Sequence, residues 1–294
     1  MTDDFLVLGG GGFVGRELVN HFRCPGTNTT GSGGFIRCDA TVAGDVKSVI
    51  EHLRPRFVIN CVGLADVDRA EAEPELAAGL NETAVKNIAS AAGDLHFKLV
   101  QISTDYVFDG SKGNYTENDA TGPVNTYGMT KLAGEAAASQ VRDSLIVRIS
   151  TPYGEERGRR RRQFFSYVVD VLKESGEVKA VADQFVTSTY LPDLAGALDR
   201  LCHRGCSGIY HVTSRDRMSR YEFARLVAET SGLDVRLITM ASTGGMRWKA
   251  RRPRDSSLSV AKSLSEGVAY TPARDAVAWL LSKSRVQNAG GSGT

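Results

Sequence analysis

A doubly wound α/β fold is the class this sequence predicts, and three observations predict it. Short apolar runs alternate with stretches long enough for crossover helices. A glycine-rich turn follows the first of those runs. The 294 residues, 41% hydrophobic and 24% charged, suffice for one large core with a smaller lobe beside it. The same composition excludes a disordered or collagen-like chain. With 36 Lys plus Arg against 34 Asp plus Glu, the net charge is +2 at pH 7, far from the basic stripe that neutralises phosphates, so no nucleic-acid partner is expected.

The first apolar run, Phe5-Leu-Val-Leu8, reads as a strand. It is followed by Gly9-Gly-Gly-Gly12-Phe13-Val14-Gly15 and a helical pattern from Arg16. Glycines between a strand and a helix allow a tight turn and bring backbone N–H groups onto a pyrophosphate at the helix N-terminus, so a dinucleotide is the expected ligand and the fold is Rossmann-like. The stretch from Cys24 to Gly34 has turn composition where a second strand ordinarily falls, so that strand is expected to be shortened, irregular or absent. Phe35–Cys38 and Phe57–Cys61 read as the next strands, and residues 74–92 place Leu76, Leu80, Ala84, Ile88 and Ala91 near one helical face. Lys98–Ser103 and Leu145–Ile149 complete the run of strands.

After residue 155 the pieces shorten, with strands near Val178–Val181 and Gly208–Val212 and helices near Gln163–Glu174 and Ser219–Ser231. The expected organisation is a dinucleotide-binding domain over 1–155, a mainly substrate-binding lobe over 156–287 with some segments returning to the first domain, and a flexible tail over 288–294. No apolar run approaches the roughly 18 residues of a spanning helix, and no basic region precedes the first strand, so a cytoplasmic protein with no membrane partner is expected. Five cysteines, Cys24, Cys38, Cys61, Cys202 and Cys206, make no framework spacing, which fits a reducing cytosol. Cys202 and Cys206 lack a second ligand pair, so no metal is expected.

Two features carry chemistry. Tyr127-Gly-Met-Thr-Lys131 opens a helix-forming segment, which puts Tyr127 and Lys131 on one face. A phenol titrates near 10, roughly 3 units above neutrality, and a neighbouring ammonium favours the phenolate and lowers that value. Upstream, Ser103-Thr104-Asp105 closes a strand at the carboxyl edge of the sheet, where doubly wound folds bind ligands.

With the glycine loop, Ser103-Thr104 and Tyr127 to Lys131 in chain order, the sequence resembles the extended short-chain dehydrogenase/reductase superfamily, and within it the dTDP-4-dehydrorhamnose reductase family. The likeness rests on Val58-Ile-Asn-Cys61, Val67-Asp68, Ser103-Thr-Asp-Tyr-Val-Phe-Asp-Gly110, Tyr127 to Glu135, Asp183-Gln184, Tyr210-His211, Arg252-Pro253 and Ser257-Leu258. It implies reduction of the C4 ketone of a dTDP-4-keto-6-deoxy sugar: Tyr127 protonates the oxygen while nicotinamide delivers hydride, Lys131 holds the ribose, and Thr104 bonds the carbonyl. Cofactor contacts are implied at Gly9, Gly12, Phe13, Val14, Gly15, Asp39, Ala40, Cys61, Val62, Gly63 and Ser103, besides Tyr127 and Lys131. Substrate contacts are implied at Thr104, Asp105, Thr151 and Arg252, and a homodimer is implied for the assembly.

Several alternatives stay open. Asp39 reads equally as a helix-initiating carboxylate, and Asn81 either as a buried group beside the site or as a solvated helix position. The second-strand region holds no acid for the ribose hydroxyls, so NADPH is favoured over NADH, with Arg16 or Arg23 to meet a 2′-phosphate. Thr151 stands where many relatives carry a tryptophan near the sugar. Arg157 and Arg159–Arg162 form a basic run that reads as a diphosphate clamp or as a solvated loop. The rival enzymes are another nucleotide-sugar 4-reductase or an epimerase. A non-catalytic rival exists as well, because the family also resembles the beta subunit of methionine adenosyltransferase.

Overall fold

The computed structural model describes residues 4–156 and 163–290. Arg157 and Arg159–Arg162 therefore lie outside the described residues, as do residues 291–294. The chain opens with β1 (Phe5–Leu8) and α1 (Phe13–Phe22), then two short strands, β2 (Thr27–Asn28) and β3 (Ile36–Arg37), and α2 (Ala43–Leu53). Next come β4 (Phe57–Asn60), α3 (Val67–Ala72), α4 (Pro74–Ala78), a π-helical turn over Gly79–Thr83, and α5 (Ala84–Leu95). The half closes with β5 (Lys98–Thr104), a 3₁₀ turn over Asp105–Val107, α6 (Thr126–Ser139) and β6 (Leu145–Ile149).

β1, β4, β5 and β6 pair in parallel as neighbours. β1, β4 and β6 are buried along their whole length, as strands must be when helices cover both faces. On one face Phe5, Val7, Phe57 and Ile59 pack against Leu18 of α1; on the other Leu6, Leu8 and Val58 pack against Ile50 of α2 and Ile88 of α5. The expected second-strand region is irregular: β2 and β3 pair only with each other, and β2 reaches the sheet through a single bridge between Gly26 and Val7. Phe35–Cys38 is thus not a strand of the central sheet. Only Ile36 and Arg37 are extended, and both are exposed, because the flanking glycines supply no apolar face to bury.

Beyond β7 (Pro152–Tyr153), α7 (Phe164–Lys173), β8 (Val178–Val181), β9 (Phe185–Thr187) and β10 (Thr189–Tyr190), the chain runs into α8 (Leu191–His203) and β11 (Gly208–His211). β11 pairs in parallel with β6 as the fifth strand of the central sheet, so this run belongs with the first half rather than with the smaller lobe. α8 covers the same face as α1, through Leu191, Leu194, Leu198 and Leu201. The remainder is β12 (Arg217–Ser219), α9 (Arg220–Ser231), β13 (Ile238–Ala241), α10 (Ala261–Ser265) and α11 (Ala273–Gly290). Ser219 starts α9 with a reciprocal capping box to Glu222. A separate core of Phe165, Val168, Val178, Phe223, Val227 and Val277 holds α7, α9 and α11 to β8. α11 extends to Gly290, into the segment expected to be a tail. No helix among the described residues is long and apolar enough to cross a membrane.

Candidate active site

The carboxyl ends of β1 and β4 are adjacent, and there the glycine loop turns into α1. Gly9 has φ +76°, and a Cβ on it would stand 2.9 Å from the Cys61 carbonyl carbon and the Val62 nitrogen. A Cβ on Gly15 would overlap the Gly9 carbonyl. Gly12 caps α1 without any side-chain hydrogen bond, and the first turn holds no acid. An N-terminus left uncapped by side chains and flanked by bare backbone fits the diphosphate of a dinucleotide. Phe13 is buried as the first residue of α1.

Around this loop the other implied cofactor residues take distinct places. Arg16 donates to the Gly11 carbonyl and lies over the Phe35 ring, close to the loop. Arg23 sits at the opposite end of α1, about 15 Å of helix away, which removes it from a 2′-phosphate role. One Asp39 oxygen accepts from the Thr41 nitrogen and hydroxyl, which hold its carboxyl below the usual range. Ala40 is buried, and its carbonyl accepts from Asn87.

A cleft of about 680 Å³ continues from β4 toward α9, a size suited to a small organic ligand. Val14, Cys61, Val62, Gly63, Ala65, Ser103 and Asn81 line its inner end, and Thr104, Asp105, Tyr127, Lys131, Thr151 and Arg252 its middle. α6 delivers Tyr127 and Lys131 because two small residues let it approach closely. A Cβ on Gly128 would overlap the Tyr106 carbonyl, and one on Gly134 the Asn81 carbonyl. Asn125 caps the helix by accepting from the Gly128 nitrogen at 2.8 Å, and its amide donates to the Arg251 carbonyl at 2.7 Å. Glu135 anchors the other end, taking the Ser103 hydroxyl at 2.5 Å and the buried Arg148 guanidinium. Ser103 therefore lines the cleft with its one hydroxyl proton already given to Glu135.

The electrostatics of the tyrosine differ from the sequence expectation. Burial pushes the Tyr127 phenol well above its usual range, and a hydrogen bond with Thr104 offsets this only in part. The Lys131 ammonium donates to the Ile102 carbonyl at 2.7 Å, and burial pulls it down to about 8. Tyr127 is accordingly a neutral phenol at pH 7, the form that gives a proton rather than takes one. Thr104 joins the group from the end of β5, donating to Asp105 at 3.1 Å and accepting from the Tyr106 nitrogen at 3.2 Å. Thr151 has φ +36°, a strained value for a β-branched residue, on the wall facing this cluster.

Asn81 takes the buried alternative. It sits in the π-helical turn, fully buried, accepting from the Leu64 nitrogen at 2.8 Å and donating to the Thr130 hydroxyl at 3.0 Å. A π-turn places one residue off the regular helical face, which is why periodicity left its orientation open. Asp68, in the Val67-Asp68 motif, links two parts of the cleft wall. Its carboxylate accepts from the Lys249 and Ala250 nitrogens and pairs with Arg252 at 3.1 Å, tying the late segment across the cleft.

Among the wall residues to which the sequence assigns no role are Tyr106, Phe164, Arg220 and Trp248. The Tyr106 ring meets Tyr127 edge-on at 5.7 Å, and its hydroxyl accepts from Gln184 at 3.2 Å. Arg220, the first residue of α9, lies over the Phe164 ring at 4.9 Å, while Arg252 lies over Trp248 at 5.0 Å. Nothing local distinguishes Arg220 from the surface arginines of other helices; only the fold turns it inward. Among the described residues no group of three His, Cys, Asp or Glu side chains is placed to hold a metal.

Comparison with known proteins agrees with this arrangement over nearly the whole chain. A dTDP-4-dehydrorhamnose reductase from Mycolicibacterium smegmatis is 34% identical over 279 residues, covering 94% of this chain and 83% of that protein. A dTDP-4-keto-6-deoxy-D-glucose reductase from Streptomyces niveus is 33% identical, covering 86% and 88%. Among solved structures, the dTDP-4-dehydrorhamnose reductase of Bacillus anthracis in complex with NADP superposes with a TM-score of 0.88 at 28% identity, covering 96% of this chain and 100% of that one. The family described as RmlD substrate binding domain matches residues 3–286, from the first strand and glycine loop through the late segment that closes the cleft, and the chain belongs to that family.

Proposed function

We propose that the protein reduces the C4 ketone of a dTDP-4-keto-6-deoxy sugar, dTDP-4-dehydrorhamnose in the first instance, using NADPH in preference to NADH. The observation that carries the reading is the meeting of Tyr127, Thr104 and Lys131 in one cleft that opens beside the uncapped N-terminus of α1. The reduced nicotinamide, when bound, supplies the hydride to C4. Tyr127, held neutral by its burial, gives its phenolic proton to the developing alkoxide oxygen. Thr104 bonds the same oxygen and fixes the ketone against Tyr127, and Lys131 is placed for the cofactor's ribose hydroxyls. Arg220 and Arg252 supply the positive charge for the substrate's diphosphate, Arg252 with part of its charge already met by Asp68.

The test is oxidation of NADPH and of NADH, followed at the nicotinamide absorbance, with enzymatically prepared dTDP-4-dehydrorhamnose and with its unepimerised 4-keto-6-deoxyglucose precursor. Turnover of the first supports the proposal as stated. Turnover of the precursor alone moves the substrate and points to the pocket wall at Thr151, a reading favoured by the Streptomyces niveus relative. Silence with both, alongside tight cofactor binding, overturns the reductase reading in favour of a regulatory subunit.

A further inference from the structure

Residues 247–254 read Arg247-Trp-Lys-Ala-Arg-Arg-Pro-Arg254, five cations in eight positions with no acid among them. The whole chain carries +2, so the other residues together carry −3 and the positive charge here is a local concentration. Exposure alternates along the stretch. Met246, Trp248 and Arg252 line the cleft and Ala250 is buried, while Arg247, Lys249 and Arg251 are exposed. The stretch thus has an inner face that walls the cleft and an outer face of three cations.

The fastenings of this stretch do not use those three side chains. Asp68 of α3 accepts from the backbone nitrogens of Lys249 and Ala250 and from the Arg252 guanidinium, and Asn125 at the start of α6 donates to the Arg251 carbonyl. Upstream, Asp183 accepts from the Thr243 nitrogen and hydroxyl. Backbone ties therefore fix the outer cations at the cleft rim and leave their charged ends to solvent. Among the described residues Arg217 pairs with Asp255 and Arg252 with Asp68, but Arg247, Lys249, Arg251 and Arg254 have no carboxylate within ion-pair distance. The acids on this wall, Asp66 and Asp68, are engaged at the start of α3 and with Arg252. The same positive sign continues inward, because Lys179, exposed on β8, and Arg220 of α9 both line the cleft.

We propose that the outer face formed by Arg247, Lys249 and Arg251 is a capture surface for the incoming sugar nucleotide, drawing its diphosphate to the cleft mouth before the cleft interior takes it over. The inference rests on the reductase reading above. The diphosphate is a dianion, and unpaired cations fixed beside a cleft raise the encounter rate of such a ligand by about 10- to 1,000-fold at low salt. Exposed charges of this kind act on arrival and are screened by salt, whereas the buried contacts of the seated ligand set how long it stays. Capture and chemistry are thereby divided between two faces of one stretch of chain.

The experiment is stopped-flow association of dTDP with the NADP-loaded protein, followed by tryptophan fluorescence because Trp248 lines the cleft. Wild type is compared with the triple variant Arg247→Gln, Lys249→Gln and Arg251→Gln, which leaves every backbone tie in place. At about 10 mM salt, where the screening length is about 30 Å, the variant is expected to associate about tenfold more slowly with its dissociation rate nearly unchanged. At about 1 M salt, where that length is about 3 Å, the two association rates converge. Thymidine, which has the base and no charge, is expected to bind both proteins alike, and kcat with the keto sugar stays at the wild-type value. A single change, Lys249→Glu, is expected to slow dTDP association more than Lys249→Gln does, again only at low salt. Equal dTDP rates in wild type and triple variant at low salt, a deficit that persists at 1 M, or a matching deficit with thymidine overturns the capture surface and leaves the reductase reading intact. Failure of the wild type to bind dTDP at any salt, with cofactor binding intact, overturns both.

Discussion

Glu135 and Arg148 meet in a two-pronged ion pair between α6 and β6, with bonds of 2.9 and 2.7 Å and side chains only 5% and 2% exposed. The same carboxylate takes the Ser103 hydroxyl, next to Thr104. The pair therefore sets the register of α6 against the end of β5, and with it the placement of Tyr127. Glu135→Ala leaves a buried guanidinium unpaired and is expected to cost about 3–5 kcal/mol of stability. Joint replacement by Glu135→Leu and Arg148→Met recovers much of that loss. Urea denaturation measures both, and a double variant as unstable as the single one argues against the pair as the cause.

Gly63 stands against the carboxamide of Asn81, and a Cβ there would come within 2.8 Å of its Oδ1. Asn81 has no room to yield without giving up its bond to the Leu64 nitrogen. Gly63→Ala is expected to weaken NADPH binding about tenfold, the value of one displaced hydrogen bond, in a fluorescence titration. Unaltered affinity removes Gly63 from the cofactor wall.

Tyr127→Phe keeps the ring and its packing while deleting the proton. Turnover is expected to drop at least about a hundredfold, with cofactor affinity nearly unchanged. Lys131→Ala harms both quantities. Wild-type turnover in the phenylalanine variant eliminates Tyr127 as the proton donor.

Arg220 lines the cleft with no salt bridge to a carboxylate among the described residues, only the more distant charge of Asp105, whereas Arg252 is paired with Asp68. Arg220→Ala is expected to raise KM for the nucleotide sugar by about ten- to a hundredfold, the worth of a charge-assisted bond, while kcat moves little. Steady-state kinetics at two ionic strengths check this. If KM stays put, the diphosphate lies elsewhere.

His211 is buried, and its Nδ1 faces the Tyr115 and Ser259 carbonyls. Burial, reinforced by the Arg148 charge, pulls the ring down to about 3 from a reference near 6.5. In that interval the unfolded chain binds the proton and the native protein does not, so this stability is present above pH 6.5 and drains away as pH falls toward 3. The slope reaches at most about 1.4 kcal/mol per pH unit. His211→Gln is expected to flatten this part of the stability profile; equal slopes in both proteins assign acid sensitivity to other groups.

The strands and the glycine loop were legible in the sequence because continuous apolar runs and glycine spacing report backbone demands directly. Phe5–Leu8 and Leu145–Ile149 lie where periodicity placed them. Phe35–Cys38 failed as a sheet strand because an apolar run says nothing of whether a neighbour is present to pair. Tyr127 and Lys131 were legible from their spacing, but the direction of the tyrosine's shift was not, since that depends on how much water the closed cleft excludes. Arg220 and the partnership of Asp68 with Arg252 join residues far apart in sequence, and no local signal carries them.

Asp105 bonds Ser256, Gly110 packs against Pro253, and Tyr115 bridges to Leu258, so the segment 253–258 is built into the early half across the whole intervening lobe. The same late stretch also reaches the start of α6, where Asn125 donates to the Arg251 carbonyl. The wall opposite the dinucleotide loop is thus stitched together from residues about 150 positions apart, so a change in either stretch is felt at the same end of the cleft.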